Sequence, residues 1–324
     1  MDMHRAIRAG LVALGCVAMW MHGSIFAPSR SEAQSLPTDP LQMPLLQGGD
    51  LRYLGKFTVP DRDGTGRPDE RDSLMWGGFA IGAGPDGKSL YFGCHDWHSQ
   101  LARVSVPQMG EVAELLQPCA AIKNLQAINP GDPNKKVLGG SMAWKGKVVV
   151  SAYSYYDGGG TAQSSHFVTG QDLASFQGPY RVGKENPGMV GGYMGVVPAA
   201  WQSLIGGPAL TGQCCIAVVG RTSFGPSISV FNPDLLGRGT SVPGKLLVGY
   251  PEDHQDLGPW DATSLLFNGS TKVGGVAFPN GTRSVLFVGR HGTTFCYGSG
   301  TSTPSLHGQP DGQGNRYCYD PTDG

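Results

Sequence analysis

Charge is scarce in this chain. Lys and Arg number 24 and Asp and Glu 25 among 324 residues, a net charge of −1 at pH 7. Neither sign is in enough excess to gather a polyanion or a membrane surface by bulk attraction, so nucleic acid is not an expected partner. Helical periodicity is scarce as well: only "MGEVAELLQ" from 109 and "AAWQSLIG" from 199 carry it, each over a few turns at most. There is no serine nucleophile elbow, no phosphate-cradling loop and no dinucleotide fingerprint.

What the chain does have is 51 Gly and 24 Pro, with apolar and aromatic runs between them. That composition describes a folded, turn-rich protein rather than a disordered one. Its N-terminus carries His4, Arg5 and Arg8, an apolar stretch from Ala9 to Ala27, then Ser31-Glu32-Ala33 ahead of Gln34. This order is that of a secretory signal peptide spanning residues 1–33. Gly15, His22 and Gly23 interrupt the apolar stretch and argue against an uncleaved anchor, and Ala13 stands where a lipoprotein signal at Cys16 usually has Leu. A secreted or periplasmic protein is expected, with no stable membrane insertion after cleavage.

Removal of 33 of the 324 residues leaves 291, with six of the seven cysteines, in a compartment where disulfides persist. Cys94 with Cys119 and Cys296 with Cys318 make plausible local pairs. Cys214 and Cys215 then remain, side by side in "TGQCCIAVVGRTSFGPS". Neighbouring Cα atoms are about 3.8 Å apart, closer than the usual disulfide span, so a bridge between them requires a distorted turn, and such distortion gathers at functional sites. The alternative is a strand on which the two point to opposite faces.

Short β-branched and aromatic runs recur between turn residues: "LRYLGKFTVP" from 51, "KSLYFG" from 88, "LARVSVP" from 101, "KVVVSAYSYY" from 147, "IAVVG" from 216, "SISVFNP" from 227, "KLLVGY" from 245 and "SVLFVG" from 284. These read as strands. Four phrases repeat a Gly-Gly pair ahead of an apolar segment: "MWGGFAIG" at 75, "VLGGSMAW" at 137, "MVGGYMGV" at 189 and "KVGGVAFP" at 272. Each is followed by a strand, a polar or aromatic turn and another strand. Repetition at tens of residues is a signature of solenoids and propellers, and glycine permits the close backbone approach of a propeller's inner strands.

Within the first repeat, "GPDGKSLYFG" at 84–93 resembles the S-P-D-G-x-x-L-Y-V phrase of bacterial periplasmic β-propellers of the YVTN and TolB types. The resemblance covers ten residues. It implies the fold and, since such propellers serve many functions, no active site. The expected architecture is all-β: a linker over 34–50, then a single β-propeller over 51–324 with about five blades, in a range of five to seven, because the uneven repeat spacing leaves room for a degenerate blade near 240–260. A pair of β-sandwich domains is the alternative. The sequence ends at "CYDPTDG" without a closing strand, so either "LRYLGKFTVP" closes the ring or the chain is truncated.

Alignment of the repeats places the turns after the second strands on one face. They hold His95, Asp96, Trp97 and His98; Tyr153, Tyr155 and Asp157; Arg221 and Ser223; and Arg290 and His291. Convergence of His95, Tyr155, Arg221, Arg290 and His291 would suit an anionic substrate, with guanidinium binding a carboxylate or phosphate and His or Tyr serving as general base. A carbohydrate or other anionic ligand is therefore expected at one face of a monomer, bound and, in an enzyme, cleaved as by a polysaccharide lyase or hydrolase; the alternative is a non-catalytic extracellular interaction or scaffold module that contacts proteins. His95 and His98, with Asp96, also have a spacing that can hold a transition metal in a turn; Asp253, His254 and Asp256 offer further ligands elsewhere. In "DRDGTGRPDERD", Asp61, Asp63, Thr65, Asp69 and Asp72 fall at positions 1, 3, 5, 9 and 12 with Gly66 at the sharp turn, an approximation to a calcium loop. Thr65 and the short Asp72 depart from that pattern, and the plain alternative is a solvated linker.

A bridge between Cys214 and Cys215 is expected to give, in a non-reduced digest, one peptide holding both, two hydrogen masses light and with no second chain attached. Cross-linking of either to Cys94, Cys119, Cys296 or Cys318 would contradict it.

Overall fold

The computed structural model describes residues 39–61, 74, 77–95, 98–215, 221–251 and 272–290. Within them the protein is mostly strand, arranged in several sheets, none closed into a barrel. The first sheet is a meander of β1 (Gly82–Ala83), β2 (Ser89–Gly93), β3 (Gln100–Ser105) and β4 (Leu115–Ala121). The second runs β5 (Lys136–Trp144), β6 (Lys147–Ser154), β7 (His166–Gly170) and β8 (Gln177–Val182). The third is built from β9 (Met194–Val196), β10 (Ala209–Thr211), β11 (Ile228–Phe231) and β13 (Gly244–Val248), with α1 (Ala199–Ile205) between β9 and β10. The short β12 (Ser241–Val242) leaves that order and pairs in parallel with β8. A fourth sheet holds β14 (Lys272–Ala277) and β15 (Leu286–Arg290).

The first strands of the four sheets lie beside one another in chain order, β1 against β5, β5 against β9 and β9 against β14. The glycine repeats explain this contact. A Cβ on Gly139 would stand 1.8 Å from the carbonyl oxygen of Gly191, and one on Gly140 would stand 2.3 Å from that of Gly192. The Gly-Gly pair of the second repeat thus lies directly on that of the third, backbone against backbone. Gly82 meets Ser141 in the same way, at 2.1 Å from its carbonyl oxygen. Serine hydroxyls on the inner strands bond across the seams, Ser141 Oγ donating to the carbonyl of Ala80 at 2.6 Å and Ser151 Oγ to that of Gly192 at 2.5 Å. No buried carbonyl can be left unpaired without cost, and these small side chains reach where nothing larger fits.

Between the sheets the interior is apolar. Tyr91, Leu101, Leu138, Val148 and Phe167 fill the first seam, while Val149, Met194, Ala209 and Phe231 fill the second. Each large side chain so buried contributes about 1.5–3 kcal/mol. His166 is fully buried there, 5.4 Å from the Phe231 ring, with Nδ1 at 2.9 Å from Ser165 Oγ. Burial pushes its pKa down to about 3, so it serves as a neutral core residue. Cys94 and Cys119 are bridged, tying the end of β2 to β4. With a sequence separation of 25, that crosslink contributes on the order of 3 kcal/mol in the chain-entropy account.

Most expected strands are present, and "AAWQSLIG" forms α1. The "IAVVG" run from 216 lies outside the described residues. Two segments differ from expectation. "LRYLGKFTVP" forms no strand, and "MGEVAELLQ" forms a loop followed by β4 rather than a helix. One cause covers both, because the two segments pair with each other: Gly110 N donates to Lys56 O at 2.7 Å, Thr58 N to Glu111 O at 3.0 Å and Ala113 N to Thr58 O at 2.7 Å. That pairing outcompetes local helix propensity. The Pro-Asp-Gly phrase is the turn between β1 and β2: Asp86 accepts from Lys88 N and Ser89 Oγ and pairs with Arg103 at 2.6 Å, while Gly87 takes φ 65°.

Gly139→Ala is expected to lower stability by about 3 kcal/mol or more, since the obstructing atoms are backbone and cannot rotate aside. Gly274→Ala, whose Cβ would meet nothing nearer than 4.0 Å, is expected to stay within about 1 kcal/mol of the parent. Chemical denaturation of the two variants checks the contrast, and equal effects would refute it.

Candidate functional site

A cluster of polar groups gathers where β6 ends, and none of its anchors was singled out in the sequence. Lys136 is buried at the start of β5, its register partner being Ser154 at the end of β6. Its ammonium donates to the carboxylate of Asp132 at 3.1 Å, to the carbonyl of Asp132 at 2.9 Å and to that of Asn134 at 2.5 Å. Asp132 also accepts from Ser154 Oγ, from Asn129 Nδ2 at 3.2 Å and from the backbone N–H of Asn134 at 3.1 Å. The Ser154 hydroxyl, more than any other partner, holds the Asp132 carboxyl down at about 2, against desolvation that acts the other way. Three acceptors around one ammonium satisfy its three N–H donors.

Asn129 carries this network outward. Its amide also donates to Thr161 Oγ1 at 3.1 Å and reaches Asp157 Oδ1 at 3.5 Å. Asp157 in turn caps its own loop, its carboxylate accepting from the N–H groups of Thr161 at 2.8 Å and Ala162 at 3.2 Å. Gly160 supplies the left-handed residue that this tight loop requires, φ 64°. The loop therefore has a fixed shape, and its outer carbonyl, that of Asp157, accepts from Arg221 Nη1 at 3.3 Å.

Arg221 forms one wall of a shallow open pocket. Cys214 and Cys215, which are disulfide-bonded to each other with Cα atoms 3.7 Å apart, line it as well. Cys214 is buried against Val137 and Tyr153, which packs the bridge into the core beneath the pocket. Ala162 and Pro187 extend the apolar surface; Asn186 stands at the edge, its Oδ1 accepting from Gly188 N at 2.8 Å. Among the described residues Arg221 makes no ion pair, and its only hydrogen bond is to the Asp157 carbonyl. Among the described residues, then, most of the five donors of the guanidinium are not taken up. Next to the pocket, Tyr155 and Tyr156 are both about 60% exposed.

The structure thus brings together three of the expected turn residues, Tyr153, Asp157 and Arg221, and adds the cysteine pair at the floor. Tyr155 is exposed and is not among the lining residues. His95 is buried in the turn after β2, its ring 5.9 Å from that of His98, and it does not line the pocket. That turn rests instead on β5, through Ser99 Oγ and the carbonyl of Lys136. Arg290 ends β15; His291 lies outside the described residues. Of the expected calcium loop only Asp61 is described, and it is exposed, while Asp63, Thr65, Asp69 and Asp72 lie outside. Among the described residues no three His, Cys, Asp or Glu side chains are grouped as metal ligands. No helix there is long and apolar enough to cross a membrane. The chain matches no protein-family model, no curated protein and no solved structure.

Asp132→Asn is expected to cost about 3 kcal/mol near neutral pH, because the Lys136 ammonium stays buried without its anion. The Asp132 pKa is depressed in the fold, so its stabilisation is present above the unfolded value of about 4 and is lost as pH falls toward about 2. The gap between variant and parent in denaturation measurements should therefore narrow across that window. A constant gap would show that the carboxylate charge is not what matters.

Proposed function

We propose that the protein is a secreted β-propeller whose ligand site is the pocket between Arg221 and the Cys214–Cys215 bridge, and that it binds an anionic carbohydrate there without cleaving it. Successive antiparallel sheets with their first strands side by side support the propeller reading, and the Cys94–Cys119 disulfide is compatible with an oxidising compartment. The observation that carries the ligand reading is Arg221, a guanidinium with no carboxylate partner among the described residues, held at a fixed angle by the Asp157 carbonyl. Such a group binds an anion through two parallel N–H donors. Tyr155 and Tyr156, which stand in the chain between the lining residues Ser154 and Asp157 and are exposed, are the candidates for aromatic contact with the remainder of a saccharide.

Binding without turnover follows from what surrounds Arg221. Asp157, the one carboxylate among the described lining residues, is engaged by its own loop, and His95 is buried and does not line the pocket. No imidazole is among the described residues that line it.

Titration of the mature protein with a panel of acidic and neutral oligosaccharides tests the reading. An acidic member should bind, and Arg221→Ala should weaken it at least tenfold with stability changed by less than about 1 kcal/mol. Binding that survives Arg221→Ala, or a panel on which no acidic saccharide binds, would overturn it, and newly formed unsaturated ends would replace the binding role with a lyase role.

A further inference from the structure

Of the two disulfides among the described residues, the one that lines the pocket is the one a solute can reach, and it closes no loop of chain. Resting on the anionic-ligand reading, we infer that Cys214 and Cys215 are a redox gate on the Arg221 site: the oxidised pair leaves the guanidinium open to an anion, and reduction supplies an internal thiolate that occupies it.

Access comes first, because thiol–disulfide exchange requires an incoming thiolate to reach one sulfur. Cys94 and Cys119 are 1% and 8% exposed and lie in an apolar cluster with Phe92, Ala102 and Val104. Cys214 is buried, but Cys215 is only partly buried, and both line the open pocket. A small dithiol entering the pocket therefore meets Cys215 first. Its thiolate bonds to the Cys215 sulfur, the bond to Cys214 breaks, and the electron pair leaves with the Cys214 sulfur. The second thiolate of the dithiol then attacks the mixed disulfide at the dithiol's own sulfur, closing a cyclic disulfide and releasing the Cys215 sulfur. Two electrons pass from the dithiol to the protein, and its two protons are shared between the new thiols and the solvent.

Reduction leaves the scaffold in place. The bridge encloses no residue, Cys214 N donates to the carbonyl of Gly188 at 2.9 Å, and Cys214 packs against Val137 and Tyr153. None of these contacts passes through the sulfur–sulfur bond. What changes is the chemistry of the pocket. A Cβ on Gly188 would stand 3.7 Å from Cys214 Sγ and 3.2 Å from Cγ2 of Thr222, so the sulfur and the residue next to Arg221 lie over the same glycine. A Cβ on Gly160 would stand 3.0 Å from Arg221 Nε, so the guanidinium too is left uncovered by a glycine. A disulfide has no proton to lose, whereas a thiol ionises near pH ~8.5, and lower beside an arginine. Arg221 is the one cation among the described lining residues, and Asp157, the one carboxylate, is engaged by its own loop. A thiolate formed here takes Arg221 as its counter-ion, and the donors it occupies are those an entering anion requires. The coupling is reciprocal: a bound anion opposes reduction by the same factor by which reduction weakens the anion.

The test on the mature protein begins without a ligand. Dithiothreitol under native conditions, followed by alkylation and peptide mass analysis, should label Cys214 and Cys215 while Cys94 and Cys119 stay bridged. The pH dependence of alkylation, read on the peptide that holds the pair, should place the first ionisation below about 7.5, and Arg221→Ala should return it toward the ordinary ~8.5. A bridge that resists reduction, loss of both bridges together, or a thiol that titrates alike with and without Arg221 would overturn the gate, whatever the ligand. Calorimetry with an oligouronate and a sulfated oligosaccharide follows. Whichever binds the oxidised protein should bind the reduced protein at least tenfold more weakly at about pH 8, reoxidation should restore the affinity, and Arg221→Ala should bind it equally weakly in both forms. Equal affinity of the parent in both forms would overturn the gate and leave the ligand reading standing. Binding of neither probe to the oxidised protein would end the ligand reading and the gate with it.

Discussion

Backbone lying directly on backbone is the constraint from which the arrangement of sheets follows. At Gly139 and Gly191, and again at Gly140 and Gly192, the second and third sheets approach more closely than any side chain permits. Inner strands so near one another cannot bury their polar groups behind bulky residues, so short hydroxyls such as Ser141 and Ser151 complete the hydrogen bonding. Wider spacing returns only away from these strands, where Phe167, Val148 and Phe231 fill the seams.

The pocket depends on a chain of support that runs inward. Arg221 is set by a carbonyl of the Asp157 loop, that loop by Asn129, and Asn129 by the Asp132–Lys136 pair at the root of β5. Burial increases along the chain, from the partly buried Arg221 and Asp157 to the buried Asn129 and Lys136. A site of this kind is built by burying its scaffolding rather than its working residue. Arg221 itself is only partly buried.

What was legible in the sequence and what was not divide along physical lines. The glycine pairs were readable because a residue without a side chain is informative at any position, and the alternating apolar runs marked β2, β3, β6, β11, β13 and β15 because period two has a single common meaning. Turn chemistry placed Tyr153, Asp157 and Arg221 on one face. The parallel pairing of residues near Thr58 with those near Val112 was not readable, since a non-local partner leaves no local trace. Nor was the role of Asn129, Asp132 and Lys136: "INPGDPNKK" reads as a solvated loop, and only the fold shows that its lysine is turned inward. His95 is the converse case, an imidazole in a turn that the structure buries and that does not line the pocket.

The two disulfides differ in a way that bears on what each is for. Cys94 and Cys119, separated by 25 positions, close a loop and so restrict the denatured chain. Cys214 and Cys215 are consecutive, and their bridge encloses no intervening residue. Joining neighbours removes almost no freedom from the denatured chain, since the two are already tethered. In the chain-entropy account this second bond is nearly neutral as a staple. Its effect is confined to the folded surface, where it replaces two weak hydrogen-bonding thiols with one aprotic patch that cannot donate to a ligand, ionise or coordinate a metal as a thiolate would. Oxidation at this point acts as a finish applied to the pocket floor.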